Sequence, residues 1–236
     1  MPDSKHPTSP WSKLEVREAA EYAIDRATIA KQFGFGYMTV PDQVPPADTT
    51  AYQANYSLAR NYDPAKAKQL LAQAGYPTGF KTTLIEWPGA NKQIALVEAA
   101  YLKAVGIQVD IKYTDMGKWN SYTGPVGDYQ NAIAEGPCVS QDPVGIGTVS
   151  FALLLYGNNM QQPADFLTAY GKANTAETVT PALVQAATDI LTKDALVIPV
   201  WDLGGGRVQA KYVQTPQWKT RGLPTIIGLE TAWMSN

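Results

Sequence analysis

LVEAAYLKAVGIQVDIKYTD, residues 96–115, is the stretch on which the fold turns. Up to Val105 its residues suit a helix, and Gly106 supplies the stop. Ile107, Val109, Ile111 and Tyr113 then alternate with Gln108, Asp110 and Lys112, the period-two pattern of a strand with one wetter face. Upstream, residues 80–87 read as a strand, and Pro88-Gly89-Ala90-Asn91 turns the chain into the helix. Strand, helix and strand in that order predict an α/β domain whose sheet is covered by helices.

The same alternation continues outward in both directions. Residues 128–135 read as a strand, followed by a loop that holds Gly136, Pro137 and Asp142-Pro143. Helices are expected at 162–173 and at 181–194, the second opened by Thr180-Pro181. Residues 196–201 and 207–213 read as strands flanking Gly204-Gly205-Gly206. The sheet is therefore expected to use 80–87, 107–113, 128–135 and 196–201. Toward the N-terminus, Asp63-Pro64 is a cap followed by a proline at the first helical position, and Gly75 suits the stop, so 64–74 reads as a short helix. Residues 34–62 carry Pro, Asp and Tyr without a sustained period, and are expected to run over the surface. Ser12 and Glu15 have capping-box spacing, and Val16, Ala19, Ala20, Ala23, Ile24 and Ile29 extend a first helix to about Phe33.

At 236 residues with 45% hydrophobic and 17% charged side chains, the chain can bury a proper core and is globular rather than disordered. A net charge of −2 leaves no electrostatic footprint for nucleic acid. No stretch approaches the length of a membrane span, and the opening MPDSKHPTSPW has no apolar export core, so no signal peptide is expected in this chain.

The sequence is poor in reactive groups. His6 is the one histidine and is expected to be a solvated terminal residue, which disfavours Ser-His-Asp and Cys-His systems. One cysteine and one histidine do not build a zinc site, so neither metal nor cofactor is expected. Cys138, with no basic residue close to it in sequence, reads as a small packed residue. The three glycines before Arg207 lack the Lys-Ser/Thr and helix of a phosphate loop, and read as a turn between strands. Glu135 and Asp142 flank one loop and could form a carboxylate pair of the kind hydrolases use, or could be a cap and a hydrogen-bonded side chain. Six tryptophans and thirteen tyrosines suit apolar and stacking contact with an organic ligand, although most must serve the core.

Four segments in order resemble one family. VREAAEYAIDRATIAKQFGFGYMTVPDQVPP (16–46), YDPAKAKQLLAQAGYPTGFKTTLI (62–85), LVEAAYLKAVGIQVDIKYTD (96–115) and AATDILTKDALVIPVWD (186–202) are similar to the second lobe of peptide/nickel-type (family 5) solute-binding proteins of ABC importers. The resemblance implies a type II periplasmic-binding-protein-like lobe, a mixed sheet flanked by helices. It further implies capture of a small-molecule or peptide-like solute for an ABC permease, by hinge closure against a missing N-terminal lobe and without enzymatic chemistry. It places the full-length protein in the periplasm, or outside the cell in association with the membrane. On this reading residues 1–15 lead into the lobe, 16–213 form it, and 214–236 return to the absent lobe, leaving an apolar tail able to self-associate. The cleft is expected to be lined by Trp87, as an apolar platform, and by the loop Cys138, Val139, Ser140, Gln141 and Asp142. One departure bears on specificity. Where peptide-binding relatives hold an aspartate three residues before the Asp-Pro step, for the peptide's amino terminus, this chain has Val139, and Gly136 stands where an aromatic is common. Valine cannot compensate a buried ammonium. A hydrolase built on Glu135 and Asp142, and a one-lobed sensor or interaction module, are the competing readings.

Overall fold

A computed structural model describes residues 1–47, 49–137, 144–203, 213–214 and 233–234. Strands β2 (Phe80–Glu86) and β3 (Ile107–Tyr113) pair in parallel from Phe80 opposite Ile107 to Glu86 opposite Tyr113. Strand β4 (Ala132–Ala134) pairs in parallel with the other edge of β2, which puts β2 in the centre in the order β3-β2-β4. Pro2 bridges Ile133 in the antiparallel sense, so the sheet is mixed at that edge. The helix joining β2 to β3 is α4 (Lys92–Ala104), started by the Asn91 side chain and closed at Gly106, whose φ is +108°. A parallel pair requires such a crossover.

The alternation along β2 sends Leu84 to one face and Ile85 to the other, and each face has its own core. On the Leu84 side lie α1 (Leu14–Ala23), α3 (Pro64–Gln73) and α4, with Val16, Leu71, Leu102 and Ile107 buried among them. On the Ile85 side, Trp119 of α5 (Met116–Tyr122), Val149 of α6 (Ile146–Tyr156), Phe166 of α7 (Ala164–Thr175) and Leu191 of α8 (Pro181–Lys193) form the second core. Helices on both faces of a parallel sheet make the α/β class.

Several local expectations are corrected. The first helix is two, α1 and α2 (Arg26–Phe33), because Asp25 leaves the helical conformation and caps the second, its Oδ1 accepting from Thr28 N at 2.9 Å. The Ser12–Glu15 capping box does not form. Ser9 caps a short 3₁₀ turn, Pro10–Ser12, and Ser12 Oγ donates to Ser9 O at 2.8 Å. The strand expected at 128–135 is reduced to Ala132–Ala134. Residues 196–201 do not join the sheet. Pro199 has no N–H to give a ladder, and its carbonyl accepts from Arg26 Nε at 2.6 Å. Pairing begins just beyond, where β5 (Asp202–Leu203) runs antiparallel to β1 (Met38–Thr39).

The segment 34–62 is more than a surface excursion, since Gln43, Val44, Ala51 and Tyr56 are buried. Gln43 holds it together, Nε2 donating to Gln53 O at 2.8 Å while Oε1 accepts from Gln53 N at 2.9 Å. His6 is not simply solvated, for its Nδ1 lies 2.6 Å from Asp3 Oδ1. Gly204-Gly205-Gly206 and most of the strand expected before Val213 lie outside the described residues. At the C-terminal end, β6 (Val213–Gln214) pairs antiparallel with β7 (Trp233–Met234).

Candidate functional site

The strand order places the site. From β2 the chain crosses through α4 to β3 on one side, then through α5 to β4 on the other, with α4 and α5 packed on opposite faces. Helix α4, which follows β2, and α6 (Ile146–Tyr156), the next described helix after β4, also lie on opposite faces. The carboxyl ends of β2 and β4 therefore flank the position at which open α/β sheets take ligands. Trp87 follows the last residue of β2, and Glu135-Gly136-Pro137 follow β4.

A cavity of about 280 Å³ opens there. Its floor is formed by Leu84, Ile133 and Ala134, with Leu102 and Glu98 of α4. Residues 39–47 and 197–202 wall it, so the segment organised by Gln43 and the run 196–201 that failed to become a strand both serve the cavity. Trp87 and Trp201 contribute indole surface. The turn after β2 is set by Ala90 N donating to Trp87 O at 2.9 Å. The exit of β4 is fixed by Glu135 N on Ile85 O at 2.9 Å and by Trp119 Nε1 on Glu135 O at 3.0 Å. Gly136 packs under the Tyr156 hydroxyl and the Trp119 ring, where a Cβ would collide, so no larger residue fits there without a shift.

Of the residues expected to line a cleft, Trp87 does line this cavity. Cys138, Val139, Ser140, Gln141 and Asp142 lie outside the described residues. The described chain enters that loop from the cavity wall at Pro137. Among the described residues, Glu86 acts on the Glu135 carboxyl and Glu135 in turn acts on Glu98, while Asp142 lies outside them. Burial pushes the Glu135 carboxyl up to about 7, with Glu86 adding to the shift. Burial also pushes Glu98 well above the ordinary carboxylate range, with Glu135 and then Glu86 reinforcing it, and pushes Glu86 up.

Sequence reasoning missed Glu98 and Glu86, yet both carried a signal. Glu98 stands between Ile94 and Leu102 at intervals of four, on the apolar stripe of its helix. Glu86 continues the inward alternation Thr82, Leu84, Glu86.

The model of bacterial extracellular solute-binding proteins, family 5, matches residues 4–177. The chain belongs to that family. Among curated relatives, the glutathione-binding protein GsiB of Shigella flexneri serotype 5b is 39% identical over 114 residues, 46% of this chain and 22% of that one. Among solved structures, the periplasmic binding protein DppA of Helicobacter pylori, in complex with the peptide STSA, superposes with a TM-score of 0.69 at 25% identity. That match covers 84% of this chain and 40% of DppA. HbpA2 of Haemophilus parasuis gives a TM-score of 0.72 at 19% identity, covering 90% of this chain and 43% of the other. The family-5 fold is thus shown, and the chain spans well under half the length of these relatives.

Proposed function

We propose that this chain forms one lobe of a two-lobed solute-binding protein and supplies one wall of the site that captures a small organic or peptide-like solute for an ABC importer. The observation that carries the reading is the cavity at the carboxyl ends of β2 and β4, apolar over most of its lining and furnished with Trp87, Trp201 and a few polar groups. The names of GsiB and DppA, a glutathione-binding and a peptide-bound protein, point to the same solute class. Trp87 is the apolar platform. The loop Cys138 to Asp142, with Ser140 and Gln141 as hydrogen-bonding groups, continues the wall beyond Pro137. Binding then requires no covalent step, and the permease and the other lobe are the partners. Residues 1–15 enter the lobe, 16–213 build it, and 214–236 return toward the partner lobe. The full-length protein works outside the cytoplasmic membrane, as the family description states of its members.

Calorimetric titration with a panel of di- and tripeptides and glutathione tests this. One wall cannot bury the ~70–90% of a ligand that closed pockets do, so the chain alone should bind weakly. Trp87→Ala should weaken that binding further, whereas turnover of any panel member would favour the hydrolase reading.

A further inference from the structure

The cavity is mostly apolar, with Thr39, Gln43 and Tyr52 as neutral polar residues and Asp42, Glu98, Glu135 and Asp202 as acidic ones. Glu98 and Glu135 line it, and Glu86 stands behind them, close enough for its charge to act on both. Glu86 is 2% and Glu98 5% exposed. Both oxygens of Glu86, Oε1 of Glu98 and Oε2 of Glu135 have no hydrogen-bond partner. No lysine or arginine of the described residues forms an ion pair with any of the three. Among the described side chains, Lys92 is the cation that acts on the group, through Glu86.

Buried carboxylates are tolerated when they are paired, and this group keeps unpaired, solvent-shielded oxygens beside the cavity that Glu98 and Glu135 line. Among the described residues no three His, Cys, Asp or Glu side chains are arranged to hold a metal ion. The rest of the lining fits an organic cation. Trp87 and Trp201 line the cavity, and indole rings attract ammonium groups, while Leu84, Leu102 and Ile198 offer apolar surface to a carbon chain.

We propose that Glu98 and Glu135, backed by Glu86, make this cavity selective for a small organic cation of the alkylammonium class, whose ammonium meets the carboxylates while its apolar part lies along Trp87 and Trp201. The inference deepens the solute-capture reading and depends on it only for the identity of the cavity as a binding site.

Thermal unfolding of the intact chain at pH 8, with added phenethylammonium chloride or 2-phenylethanol at matched sodium chloride, tests it. The two probes differ only in ammonium against hydroxyl, and a ligand bound to the folded state raises Tm. The ammonium should reach a given Tm gain at a concentration at least tenfold below that at which the alcohol reaches it. That gap should close in Glu98→Gln/Glu135→Gln, and in the native chain it should shrink at pH 5, below the value of about 7 to which Glu135 is raised. Equal gains from both probes would overturn the cation selectivity and leave solute capture standing. No gain from the ammonium, or a gap that survives the double substitution, would also overturn it. If the double variant does not fold, the native comparison at the two pH values decides alone.

Discussion

Glu135 shows how far one residue's surroundings can move its chemistry. Its carboxyl titrates near 7 against an ordinary 4.5 because burial, and then Glu86, disfavour the charged form. Glu98 and Glu86 are raised in the same direction. A group whose folded pKa lies above its unfolded value contributes stability that is complete below the unfolded pKa and is lost as pH rises through the folded one. Stability should therefore fall between about pH 4.5 and pH 7, by up to ~1.4 kcal/mol per pH unit for each group titrating. Denaturant unfolding across that range should show the slope, and Glu98→Gln/Glu135→Gln should flatten it. A second residue-scale case is Gly79. It has φ of +79°, and a Cβ there would strike the Gly106 carbonyl, whose oxygen accepts from Phe80 N at 3.2 Å to start the β2–β3 pair. Gly79→Ala should cost about 3 kcal/mol or more in urea melts, since strain and collision add.

Among the elements, those with explicit punctuation were legible. Asp63-Pro64 and Gly75 bound α3, Asn91 and Gly106 bound α4, and both helices lie within a residue or two of their expected limits. Helix α6, IGTVSFALLLY, was missed because apolar residues occupy every side of it and no period emerges. Helix α5 is short, and its cap Asp115 closes the strand-like run before it, which hides the start of a helix in the sequence. Among the described cavity residues, Trp87 was legible as a cleft residue and Glu135 only as one member of a carboxylate pair, while Cys138 to Asp142 lie outside the described residues. Glu98 and Glu86 come from a helix face and a strand face that meet only in three dimensions. The joins between elements were invisible for the same reason. Arg60, from an irregular segment, donates to the last turn of α8 at Thr192 O (2.7 Å) and Lys193 O (2.8 Å), and pairs with Glu18 (2.8 Å) and Glu21 (3.2 Å) of α1. A cation at a helix C-terminus is favourable, and Glu21 is buried with its pKa pushed up by burial although Arg60 pulls it down. Arg60→Met should destabilise by about 3 kcal/mol because it leaves a buried carboxylate unpaired. Adding Glu21→Gln should recover part of the loss, and a double-mutant cycle measures the coupling.

For the molecule as a whole, the account is of a family-5 lobe that carries half of a ligand site. Its exposed apolar side chains fit that description near the cavity wall, where Phe35 is 87% and Tyr37 74% exposed beside β1. The sequence beyond Gln214 holds Trp218, Leu223, Ile226, Ile227 and Leu229, which the solute-capture proposal assigns to contact with the other lobe. We propose that it drives self-association when that lobe is absent. Light scattering after size exclusion should find species larger than the monomer at high concentration, reduced by truncation at residue 214. The most direct measurement on the central claim is an NMR titration of the isotope-labelled chain with the peptide panel. The account predicts weak, saturable shifts centred on the Trp87 and Trp201 indoles and the Gly136 amide. Submicromolar affinity in the lone chain, or shifts centred away from the cavity, would contradict it.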